Sequence, residues 1–159
     1  RTLVSAFTLE GRLAASDGTR NANGNIVWMH DAMRDEWSAV SPLGQIVARV
    51  TADPFGAVLE TQDGERRAAP DIDSLLPELV GVQMPVAALR YWVQAVPRSG
   101  ARVLQIDDAG RPERISDAGW IIDYTRYADD TPGATPVRMD AHWGETRIRL
   151  LIDAWTPAP

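Results

Sequence analysis

The chain has 159 residues, 45% of them apolar, which is enough for one domain with a real core. Its 16 Lys and Arg against 22 Asp and Glu give a formal charge of -6 with no basic run, which disfavours nucleic acid and electrostatic docking on anionic lipid. There is no cysteine, so disulfides and thiolate metal sites are excluded, and no apolar run approaches the roughly 20 residues of a spanning helix.

The chain enters a strand pattern almost at once, as expected if a signal and a membrane tether precede it. In "FTLEGRLA", Phe7, Leu9, Gly11 and Leu13 face one way while Thr8, Glu10, Arg12 and Ala14 face the other, the period of a half-buried strand. "NANGN" at 21–25 predicts a turn leading into "IVWMH". "DEWSAV" and "QIVARVT" flank "SPLG" at 41–44, which predicts a hairpin: Ser41, Pro42 and Gly44 suit a β-turn. Leu43 does not, because a leucine at a tip leaves its apolar surface in water. "AVLETQDGERRAA" predicts a further hairpin turning at Asp63 and Gly64.

The period changes at Asp71. "APDIDSLLPELVG" places Ile72, Leu75, Leu76 and Leu79 at helical spacing, with Asp71 as a start signal and Gly81 as a stop. Pro77 predicts a kink there, or a helix that begins late. "MPVAALRYWVQAVP" predicts a second helix, opened by Pro85 and closed before Pro97, with an apolar stripe of Val86, Leu89, Trp92, Val93 and Val96. Strands then return in "RVLQID", "RPERIS", "WIIDYTRY", "VRMDAHW" and "TRIRLLIDAW", separated by "DDAG", "SDAG" and "ADDTPGATP". The expected architecture is α+β and mainly antiparallel: about eleven strands, with two helices inserted after the sixth. A long meander must close or cover its edges, so a curled sheet or barrel with a helical lid follows, as one domain over 1–159.

Catalytic apparatus is not visible. His30 in "HDAMRDE" has acidic neighbours, but a strand-turn-strand setting scatters them, and solvated turn residues are the expectation. There is no G-x-S-x-G elbow, H-E-x-x-H helix or phosphate loop, so no enzyme activity, metal or cofactor is expected. "DGTRNANGN" fails as a calcium loop, since Thr19 and His30 stand where an aspartate and a glutamate belong. The six tryptophans either fill an ordinary core or line a cavity for an apolar ligand, and period two does not separate a filled barrel from a hollow one.

The succession "FTLEGRLA", "IVW", "SPLGQIVARV", "GAVLETQDGERRAAPDIDSLLPELVGVQMPVAALRYWVQAVP", "GWIIDYTRY" and "LLIDAW" resembles the outer-membrane lipoprotein receptor LolB family over nearly the whole chain. The resemblance implies a half-open β-barrel with a helical lid around an apolar cavity, LolA/LolB-like. It implies a function too: accepting the acylated N-terminus of lipoproteins from the periplasmic carrier LolA and inserting it into outer-membrane lipid. Family members are lipid-anchored on the periplasmic face of the outer membrane by an acylated cysteine, which here would lie upstream; a monomer is expected. By position, the family's protruding hydrophobic residue is Leu43, with Pro42 and Gly44 shaping its loop. The family's cavity lining maps onto Trp28, Trp92, Trp120 and Trp155, with Leu76, Leu79, Leu89 and Val93 from the lid; Trp37 and Trp143 fit less well. The competing readings are a soluble lipid or lipoprotein carrier, an envelope scaffold, and a lipid hydrolase using His30 or His142.

Overall fold

The computed structural model describes residues 1–159. Six strands come first: β1 (Phe7–Ser16), β2 (Asn21–His30), β3 (Asp35–Val40), β4 (Ile46–Asp53), β5 (Gly56–Thr61) and β6 (Arg66–Ala69). Two helices follow, α1 (Ile72–Val80) and α2 (Val86–Trp92). The chain ends with β7 (Arg102–Ile106), β8 (Pro112–Asp117), β9 (Trp120–Tyr127), β10 (Pro136–Trp143) and β11 (Thr146–Pro157).

All eleven strands form one sheet in the order β6-β5-β4-β3-β2-β1-β11-β10-β9-β8-β7. Neighbouring strands run antiparallel, and β6 and β7 end the sheet without pairing to each other. The sheet is therefore a barrel left open, and the helices occupy its inner face. α1 lies against β4, β5 and β6. From α2, Trp92 reaches across to Trp120 and Tyr124 of β9.

The first hairpin turns earlier than its Asn-Gly content suggests. "NANGN" lies inside β2, where Asn23 pairs with Ala14 and Gly24 with Leu13. The turn is at 17–20, where the Asp17 carboxylate accepts from the backbone N–H groups of Thr19 and Arg20 and Gly18 takes a φ of 90°. An Asx turn one step upstream supplies both backbone acceptance and the positive φ, so Asn23 and Gly24 are left to the strand.

Both helix ends of α1 follow from the sequence signals. Asp71 Oδ1 accepts from the Ser74 N–H at 3.0 Å, and Gly81 closes the helix at φ 87°. A Cβ on Gly81 would stand 2.9 Å from the Ala22 Cβ, so the position needs glycine for space as well as for φ. Pro77 lies inside α1, removing one intrahelical donor without ending the helix.

α2 is shorter than its apolar stripe predicts. Ala95 adopts φ 52°, its N–H donates to Trp92 O, and the Val96 N–H donates to Tyr91 O. That is a Schellman closure made by an alanine, and it stops the helix before the proline at 97 is reached.

Candidate functional site

The inner face is organised by cross-strand register. Leu59 pairs with Val50, Val50 with Trp37, Trp37 with Trp28, and Trp28 with Leu9, which on its other side pairs with Trp155. Directly opposed residues share a face, so these side chains form one row across five strands and into β11. Within it, Trp28 and Trp37 stack at 4.7 Å and 24°, and Phe7 stacks on Trp155 at 4.5 Å. Phe7 meets Trp28 edge-on at 4.9 Å.

The residues expected to line a cavity are brought onto this face and its plug. Trp28, Trp92, Trp120, Leu76, Leu89 and Val93 are buried in one core cluster, and Trp155 and Leu79 pack against it half-buried. Trp37, which fits the family lining less well by sequence, is fully buried at the centre of the row. Trp143 is 57% exposed and touches the site only through Trp120, at 6.2 Å. With α1 and α2 seated, buried side chains of the helices and the sheet pack into one cluster. An apolar slot of about 150 Å³ remains where Leu79 and Val80, at the end of α1, meet Leu13, Ile26, Ala39 and Val47 of the sheet.

The two helices are held differently. From α2, the Trp92 indole N–H donates to Asp117 Oδ2 at 2.8 Å, and Trp92 O accepts from the Tyr124 hydroxyl at 2.6 Å. Arg98 Nε also donates to Asp117 Oδ2, at 2.7 Å. Burial works to raise the Asp117 carboxyl, but the hydrogen bonds from Arg98 and Trp92 and the Arg98 charge outweigh it and hold the group below the usual carboxylate range. Burial pushes the Tyr124 hydroxyl well above its ordinary value, so it stays a donor. Just beyond α2, the buried Gln94 side chain accepts from the Val4 N–H and donates to Val4 O and Arg90 O. α1 has no such buried polar tie to the sheet. It is held by apolar contact, by the exposed Arg67–Glu78 ion pair, and by Asp73 accepting from the Val86 N–H at 3.3 Å.

His30 is not a solvated turn residue. It faces Phe7 across β1 and Asp35 across β3, its side chain is 8% exposed, and its Nδ1 lies 2.8 Å from Asp35 Oδ1. The hairpin does separate it from Asp31, which accepts from the Met33 and Arg34 N–H groups in the turn.

The β3–β4 hairpin presents the predicted tip. The Gly44 N–H donates to Ser41 O at 2.9 Å, the Ser41 N–H donates to Gln45 O at 2.8 Å, and Gly44 takes φ 85°. This is a three-residue hairpin loop with its left-handed glycine last, so Pro42 and Gly44 fix the loop and Leu43 is left at the apex. Leu43 is 88% exposed. Sequence reading missed a second exposed apolar tip, Phe55, in the β4–β5 turn at the other end of the same strand, 95% exposed.

An open antiparallel sheet with an aromatic inner face, plugged by two helices, defines a half-barrel of the LolA/LolB kind. The fold is similar to the crystal structure of a LolA superfamily protein from Nitrosomonas europaea, with a TM-score of 0.56 at 6% identity over 100% of this chain and 89% of that one. The family model described as "Outer membrane lipoprotein LolB" matches residues 5–155. The chain is 45% identical over 155 residues to an outer-membrane lipoprotein LolB from Azoarcus sp., covering 98% of this chain and 80% of the relative. It is 39% identical over 160 residues to one from Thiobacillus denitrificans, covering 99% and 83%. The chain belongs to the LolB family.

Proposed function

We propose that this protein accepts the acylated N-terminus of lipoproteins from the periplasmic carrier LolA and inserts it into the outer membrane, acting as a lipid-anchored receptor on that membrane's periplasmic face. The observation that carries the reading is Leu43, held at the apex of a rigid hairpin with 88% of its surface in water. Burying a leucine gains about 1.5–3 kcal/mol, so the tip has a reason to enter a bilayer interface and none to remain in solvent. A soluble carrier has less use for it.

The inner face supplies the other half. Each methylene kept from water is worth about 0.8 kcal/mol, so an anchor with several long acyl chains would cost on the order of tens of kcal/mol to release into solvent. The chains must therefore pass between shielded surfaces and then into lipid. The aromatic row of Trp28, Trp37 and Trp155, with Trp92 from α2 and Trp120 from the far wing, offers such a surface once the plug moves. α1 is the part that moves, because its seat is apolar and can be exchanged for acyl chain, whereas α2 is tied by Asp117 and Tyr124. The slot under Leu79 and Val80 is bordered by Val40 and Val47, which flank the Leu43 hairpin, so chains leaving there would meet lipid beside that tip. Handover of this kind needs no bond-making, only a ladder of affinities.

A transfer assay tests the reading. Carrier charged with a fluorescent acylated protein should lose it to this domain and, through it, to liposomes. Cargo that stays on the carrier contradicts it.

A further inference from the structure

We propose that His30 is the hydrogen-bond acceptor for the amide N–H of an N-acylated terminus, so that the site selects amide-linked acyl chains over lipids that carry esters alone. The inference rests on the receptor reading above and names what that receptor recognises beyond apolar length.

Register places His30 on the inner face. It is opposed by Phe7 and Asp35, one row from Trp28 and Trp37. The ring is packed against Phe7 at 5.3 Å and Trp28 at 6.0 Å, and Asp35 Oδ1 both accepts the Trp28 indole N–H at 2.8 Å and lies 2.8 Å from His30 Nδ1. A carboxylate offers only lone pairs, so the proton is on Nδ1. In the neutral ring, Nε2 is then a bare lone pair with a fixed direction. It is buried and has no protein partner, in a side chain that is more than nine-tenths buried.

A histidine whose role is only to pack would be replaced without loss by a phenyl ring, and a histidine whose role is only to hold Asp35 would have no need to leave its second nitrogen buried and unpartnered. Buried polar atoms in folded proteins are otherwise paired. The neighbouring row holds a second orphan of opposite sense, the buried Trp37 indole N–H, also without an acceptor. An amide has one N–H and one carbonyl and so matches an unpaired acceptor and an unpaired donor. An ester has no N–H, and it would set an acceptor against Nε2. A site built around such an atom discriminates strongly against the analogue that leaves it unpaired. On the helix side of His30, a pocket of about 380 Å³ is bordered by Asp31, Arg34, Asp53, Asp73 and Arg90, a polar rim suited to the peptide that follows the acylated residue.

The test compares two ligands on the purified domain at pH 8: an N-palmitoyl peptide and the same peptide methylated on that amide nitrogen. Binding is followed by tryptophan fluorescence, and the ratio of the two affinities is read. The wild type should favour the N–H form about tenfold, as one recovered buried hydrogen bond implies. In His30→Phe the ratio should fall to near one. His30→Gln, which keeps a carbonyl acceptor, should restore part of it and serves if the phenylalanine variant does not fold. Equal ratios in wild type and His30→Phe, or no preference in the wild type, overturn this inference while leaving the receptor intact. A wild-type domain that binds neither peptide overturns the receptor reading itself.

Discussion

The Trp92 indole N–H donates to the Asp117 carboxylate at 2.8 Å, joining the last residue of α2 to the last residue of β8 inside the core. Through this bond a lid helix becomes part of the wall. Asp117→Ala should lower unfolding free energy by about 3 kcal/mol, the low end for breaking a buried ion pair, since Arg98 is 31% exposed. Urea unfolding of the two proteins checks it; a change under about 0.5 kcal/mol, typical of an inconsequential surface substitution, would mean α2 is not tied by this bond.

Acid should act through the same group. The folded-state value of Asp117 lies below its ordinary 3.8, so its contribution is fully present above that pH and is lost as pH falls through the folded value. Its contribution should therefore be constant from neutral pH to about 5, begin to fall near 4, and be fully lost only below the folded value. Asp117→Asn should have a shallower acid limb than wild type; parallel limbs would show that other carboxylates govern it.

Gly81→Ala should destabilise by about 2 kcal/mol, from a left-handed backbone and a Cβ 2.9 Å from Ala22. The variant's α1 should release more readily, seen as faster amide exchange over 72–80 with exchange in 86–92 unchanged. Uniform acceleration in both helices would contradict independent seating of α1.

Trp28→Phe should cost both stacking on Trp37 and the hydrogen bond to Asp35, weakening acyl-peptide binding several-fold. Trp92→Ala is a less direct probe of the lining, because Trp92 also anchors α2. Isothermal titration with an acylated peptide checks the first; unchanged affinity would remove Trp28 from the binding surface.

Strand alternation made β1 legible residue by residue, and capping signals placed α1 between Asp71 and Gly81. Local chemistry fixes such features, so local sequence reports them. "NANGN" misled because two turn-capable stretches lie within a few residues, and pairing across β1 and β2 chooses between them. The end of α2 was hidden because an alanine, not a glycine, takes the left-handed position at 95. The Asp117 and Asp35 networks were illegible for a different reason: their partners lie 25 and 7 residues away and meet only after the sheet forms. Leu43 was legible because a leucine at the apex of a Pro-Gly turn has no local explanation.

The most direct test of the account is the two-stage transfer assay run on wild type, Leu43→Glu and Phe55→Glu. Leu43 and Phe55 are comparably exposed at opposite ends of β4, so the second variant controls for a charge placed on any apolar tip. Leu43→Glu should take cargo from the carrier as wild type does but release it to liposomes at least several-fold more slowly, while Phe55→Glu should release it like wild type. If Leu43→Glu releases cargo at the wild-type rate, or loses acceptance as much as release, the hairpin tip is not the delivery element.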